Sequence, residues 1–66
     1  MKLWIARNKN NDLNGFESKP IRDENSGEFV ETDGIFYSFD FELFPDVLWY
    51  NSPQMIELKL IQSKEK

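Results

Sequence analysis

The chain of 66 residues contains no cysteine and no histidine. That excludes disulfides, zinc sites built on thiolate or imidazole, and every catalytic scheme that needs a Cys nucleophile or a His base. Long apolar runs are also missing: Leu3-Trp4-Ile5-Ala6 stops at Arg7, too short for a signal-peptide core or a membrane span. The expectation is a cytoplasmic protein with no membrane contact, which the lack of cysteine accommodates. A third absence is of one sign of charge. Between Asp23 and Leu58 there is no Lys or Arg, but nine acids: Asp23, Glu24, Glu28, Glu31, Asp33, Asp40, Glu42, Asp46 and Glu57. The centre therefore carries −9 and the two ends together +5, within a net charge of −4. Direct binding to DNA or RNA is disfavoured, since phosphate recognition needs clustered bases.

What the chain does have is aromatic bulk. Six Phe, two Trp and two Tyr are present, and Phe36, Tyr37, Phe39, Phe41, Phe44, Trp49 and Tyr50 fall in one stretch. Each aromatic can bury about 150–250 Å². A domain near this length buries only about 60% of its unfolded surface and draws at most about 3–5 kcal/mol from its core. Large side chains and self-association are the stabilising means left to it. Residues 1–61 read as a single domain and residues 62–66, with nothing to bury, as a frayed tail.

The local pattern is that of a mostly β protein: a small antiparallel sheet or partly open barrel of about five strands. Leu3 to Ala6 reads as a first strand, Asn8 to Asp12 as a turn built by residues that tolerate left-handed backbone, and Leu13 to Ser18 as a second strand. The rival turn is Asn14-Gly15, a type I′ signal that would shift the register. Lys19-Pro20 ends that strand, and Ile21 to Gly27 reads as a loop. Asp33-Gly34 between Glu28–Thr32 and Ile35–Phe39 predicts a hairpin in which Thr32 faces Ile35, Val30 faces Tyr37 and Glu28 faces Phe39, with that face turned to the core. Asp40 as N-cap and Pro45 frame one short helical turn near 40–44, with Phe44 pushed toward extended backbone. Val47 to Tyr50 reads as a strand. Residues 54–61 form a last strand with Ile56, Leu58 and Leu60 on one face. Most of Trp4, Phe29, Tyr37, Phe39, Phe44 and Trp49 are expected in the core.

No catalytic constellation emerges. Asp40, Glu42 and Asp46 are close in sequence and oxygen ligands suit Mg²⁺ or Ca²⁺, but no spacing matches a calcium loop. A pair of carboxylates could serve a glycosidase, which also needs a cleft that so short a chain has little volume to form. The expectation is no enzyme, no metal and no cofactor. The acidic centre has two explanations. It could present a surface to a basic protein partner, with Glu28, Glu31, Asp33, Phe36 and Tyr50 as the contacts, because complementary fields raise association rates and bias partner choice. Alternatively Lys2, Arg7 and Lys59 on the terminal strands neutralise it through ordinary surface pairs, each worth about 0–1 kcal/mol. Bulky groups on both faces of a strand call for cover on both, from a partner protein or a second copy in a homo-oligomer.

The order Leu3-Trp4-Ile5-Ala6-Arg7, Lys19-Pro20, Leu43-Phe44-Pro45-Asp46-Val47, Trp49, Ser52-Pro53 and Glu57-Leu58 resembles small uncharacterised proteins of phage and bacterial genomes. Those run W-x-A-R, K-P, L-F-P-x-V-x-W and S-P before a last strand with E-L. Trp49-Tyr50 stands where the group has a W-E pair. The resemblance spans most of the chain, carries no functional residues, and implies a phage- or mobile-element-associated protein that acts by binding a host protein.

Overall fold

In the computed structural model, which describes residues 2–57, six strands form two antiparallel sheets. A four-stranded sheet runs in the order β5-β2-β1-β6, and β3 and β4 form a separate pair. The strands are β1 (Lys2–Arg7), β2 (Leu13–Phe16), β3 (Ile21–Asp23), β4 (Glu28–Val30), β5 (Phe36–Phe39) and β6 (Gln54–Glu57). The sheet is not closed into a barrel, and the helical content of the described residues is one 3-10 turn at Trp49–Asn51.

The first hairpin follows the earlier of the two candidate turns. Asn8 N–H donates to Asp12 O and Asn11, at φ 83°, occupies the left-handed region that Asn tolerates. Trp4 then pairs with Phe16 and Arg7 with Leu13. Asn14-Gly15 lies inside β2, where a Cβ on Gly15 would stand 2.5 Å from the Phe39 ring and 2.9 Å from Leu3. This glycine serves a close approach between neighbouring strands.

The Asp33-Gly34 hairpin does not form. Val30 pairs with Ile21 and not Tyr37, and Glu28 pairs with Asp23 and not Phe39. Tyr37 lies opposite Gly15 and Phe39 opposite Leu13. A type I′ turn needs both central residues left-handed, and of the two only Gly34, at φ 79°, is. The Asp33 carboxylate instead accepts the Ile35 N–H and the Ser18 hydroxyl, each at 3.0 Å. The segment expected to be a loop, Ile21 to Gly27, supplies the hairpin. Asp23 O accepts from Gly27 N–H at 2.9 Å, its carboxylate accepts the Asn25 N–H, and Gly27 takes φ 75°. As a result Thr32, Ile35, Val30 and Tyr37 are exposed, and the face expected to be core is not.

The core has two parts, one on each face of the large sheet. On one face Ile5 and Leu13 pack with Val47, flanked by Phe39 and Ile56. On the other, Ala6 and Phe16 pack with Phe29 of β4, flanked by Trp4 and Trp49. Phe29 is therefore core, Trp4, Phe39 and Trp49 half-buried, and Tyr37 and Phe44 exposed. Phe16, at the end of β2, is the largest side chain that is fully buried.

Residues 40–48 cover the first face without regular structure. Arg7, 4% exposed, directs its Nε to Val47 O (2.6 Å), Nη1 to Asn11 O (3.0 Å) and Phe41 O (2.9 Å), and Nη2 to Leu43 O (2.9 Å) and Phe44 O (3.1 Å). The five N–H donors of a guanidinium thus meet five backbone carbonyls. This explains two departures from the sequence expectation. The helical turn near 40–44 reduces to one hydrogen-bonded turn, Leu43 N–H to Asp40 O, with Asp40 capping the Glu42 N–H: Arg7 binds Phe41 O, and Pro45 has no N–H to continue the turn. Val47 to Tyr50 is not a strand: Val47 O binds Arg7, and the Leu48 N–H binds the Asn51 side chain at 2.7 Å. Phe44 is left-handed at φ 50°, not extended, a conformation costing about 1–3 kcal/mol that the bonds from Arg7 and Val47 N–H to Phe44 O offset. The last strand holds Ile56 against the core while Met55 and Glu57 face out. Leu58, Leu60 and the tail at 62–66 lie outside the described residues.

Candidate functional site

Four of the five cationic side chains that precede the acidic centre in the chain are committed elsewhere. Arg7 is buried among carbonyls. Arg22 donates to Trp49 O (2.8 Å) and Ser52 O (3.0 Å) and stacks 4.5 Å from the Trp49 ring. Lys9 lies over the same indole at 5.5 Å, and Lys19 over Trp4 at 5.4 Å. A cation over an indole face is held by the ring quadrupole and by burial of its aliphatic stem. Among the described residues the only ion pair is Arg22–Glu24, long at 3.9 Å and largely exposed on the Glu side. Lys2 sits across the ladder from Glu57 and away from the β5 edge, and Lys59 lies outside the described residues. Of the neutralisation expected from Lys2, Arg7 and Lys59, the described residues show only Lys2 opposite Glu57, with Arg7 turned to carbonyls.

Several of the acids without an ion-pair partner among the described residues flank β5. This strand is the outer member of the large sheet, with Asp33 just before it and Asp40 just after it. Phe36 stacks on Phe16 at 6.3 Å between ring centroids yet remains 51% exposed. Tyr37, on the opposite face, donates its hydroxyl to Glu17, which follows β2. The hydrogen bond to the Glu17 carboxylate, the partial desolvation of the phenol, and the charges of Glu17 and Asp33 together raise the Tyr37 pKa above its ordinary 10.0. The phenol is therefore neutral and committed as a donor.

No family model, curated protein or solved structure matches the chain.

The contacts expected from sequence are divided among three places. Asp33 and Phe36 belong to the β5 edge, and Glu31 lies between β4 and it, partly buried. Glu28 is on the two-stranded sheet, opposite Asp23. Tyr50 projects from the 3-10 turn, 75% exposed. The structure adds Glu17, Tyr37 and Asp40 to the edge. Glu17 and Tyr37 are 20 residues apart and meet only because β2 pairs with β5, so their association had no local signal. Asp40 was visible as a cap. Among the described residues no three carboxylates are placed to hold a metal ion, and no helix is long and apolar enough to cross a membrane.

Proposed function

We propose that the chain is a cytoplasmic protein-interaction module, of the kind carried by phage or mobile elements, whose acidic and aromatic β5 edge receives a basic partner. The supporting observation is the disposition of charge: Arg7, Lys9, Lys19 and Arg22 engage carbonyls and rings, while Asp33, Asp40 and Glu42 have no base within ion-pair distance among the described residues. Exposed carboxylates beside Phe36 and Tyr37 combine long-range attraction for a basic protein with apolar area to bury on contact. Binding and not catalysis is the role, in keeping with a chain that has no Cys or His.

The test is affinity capture from the native host with mass spectrometry, using the parent chain, an Asp33→Lys/Phe36→Ser variant and an Ile21→Ser control on the other sheet. A basic protein retained by the parent and control, released by moderate salt and lost with the double variant is the expected result. A partner set unaltered by the double variant would refute this edge as the surface.

A second reading, a structural subunit that assembles with itself, draws on exposed Ile21 and Val30 of the two-stranded sheet and Met55 of β6, which lie on other elements than the edge acids. Light scattering separates the two, because a monomer at all concentrations contradicts obligate assembly.

A further inference from the structure

We infer that the β5 edge binds its partner by strand addition, and that the segment it accepts is extended, rich in β-formers and basic at both ends. This rests on the interaction reading above and specifies its chemistry. β5 ends the order β5-β2-β1-β6, and no backbone hydrogen bond among the described residues reaches its outer side. In an antiparallel ladder alternate residues aim N–H and C=O away from the paired neighbour, so Phe36–Phe39 presents a row of free donors and acceptors. Edge strands are commonly blunted by a lysine, a proline, a bulge or an inward-pointing charge. The sequence Phe36-Tyr37-Ser38-Phe39 has none of these, and its register with β2 runs unbroken from Leu13↔Phe39 to Phe16↔Phe36.

Charge selects the occupant. A second copy is the simplest candidate for an open edge, joined antiparallel about a twofold axis at Tyr37. That axis sets Asp40 opposite Gly34, next to Asp33, so the acids that flank the strand gather at both ends of the new ladder and repel one another. The same acids favour a chain with Lys or Arg at both ends of its paired segment, separated by about five to seven residues at ~3.3 Å per residue. Between those bases, alternating side chains of the incoming strand would lie beside Phe36 on one face and Tyr37 on the other. The hydrogen bond from Tyr37 to Glu17 and those to the Asp33 carboxylate hold part of this edge in place before anything binds. Main-chain pairing gives such a site affinity, and the flanking charges and aromatics give it selectivity.

The experiment titrates ¹⁵N-labelled protein with synthetic peptides of alternating Thr and Val. One peptide has Lys at both ends, a second has Glu at both ends, and two more are Lys-ended but N-methylated at alternate residues, one set for each edge of the peptide. The expected result is amide shifts across 33–40 and about tenfold slower exchange within 36–39 with the Lys-ended peptide alone. One of the N-methylated peptides then loses binding and the other keeps it. Shifts at 33–40 that neither methylated peptide weakens would overturn strand addition while leaving the acidic surface as the binding site. Equal binding of Lys- and Glu-ended peptides, or slowed exchange at another element only, overturns the inference. A dimer by light scattering in which β5 amides are already protected also overturns it, in favour of self-pairing. Capture of a host partner through Asp33 and Phe36 is decided separately by the experiment above.

Discussion

Arg7 shows how a single side chain can replace secondary structure. Its guanidinium is buried without a carboxylate, a placement that would cost several kcal/mol were its donors unmet, yet five carbonyls from Asn11, Phe41, Leu43, Phe44 and Val47 satisfy it. Those carbonyls belong to loops with no ladder of their own. Lysine offers a point charge with three donors and cannot reproduce the planar fork. Arg7→Lys is expected to lower stability by about 3 kcal/mol or more, since hydrogen bonds to charged groups are worth about 1.5–3 kcal/mol each. Against a core contribution of about 3–5 kcal/mol, near-ultraviolet dichroism should find the variant largely unfolded; native dichroism with an unchanged urea midpoint would contradict the role given to Arg7. At Tyr37 the sign of the pH effect follows from its raised pKa: the bond to Glu17 contributes stability in full below 10.0 and loses it as pH rises through the higher folded value. Glu17→Gln is expected to move the phenolate absorbance transition of Tyr37 back toward 10.0, and Tyr37→Phe to remove that component from the titration.

At the scale of elements, turn chemistry was the strongest local signal and also the least safe. Asn8 to Asp12 reversed the chain as its residue types require, whereas Asp33-Gly34, equally suggestive, lost to pairing between β5 and β2. The difference is what each alternative buries. A local hairpin would leave the outer side of β2 uncovered, while the observed pairing brings Phe39 against the Leu13 cluster and Phe36 onto Phe16. Gly15 is where this pairing is tightest. Gly15→Ala would thrust a methyl into the Phe39 ring and Leu3, at an expected cost of about 1–3 kcal/mol, read as a lowered urea midpoint. Gly34 has open space around it but a left-handed backbone. Gly34→Ala is expected to cost about 1 kcal/mol and Gly34→Asn less, because Asn tolerates that region. Equal effects of alanine at the two glycines would argue against a close approach between β2 and β5.

Across the whole molecule, charge and apolar area are sorted differently from a domain that buries its aromatics and pairs its ions. Cations turn to carbonyls and indoles, acids stay outside, and the net charge of −4 is opposed by one long ion pair among the described residues. Salt should therefore relieve repulsion more than it weakens attraction. As the screening length falls from about 30 Å to about 8 Å between 0.01 and 0.15 M, the thermal midpoint is expected to rise by a few degrees. A fall over that range would mean that attractive surface pairs dominate.

The order of residues was enough to establish an antiparallel β domain without disulfides or metal-binding histidines, the first hairpin, and the acidic aromatic centre. Those properties rest on composition and on alternation over a few neighbours, which a one-dimensional pattern records. The sequence did not reveal that Arg7 would be buried, that β5 would pair with β2 across some 20 residues, or that Glu28 and Tyr50 would be separated from Asp33 and Phe36. Each depends on which distant surfaces gain most by meeting. The Phe16–Phe36 stack, the Gly15–Phe39 approach and the five carbonyls around one guanidinium exist only after the chain has closed on itself.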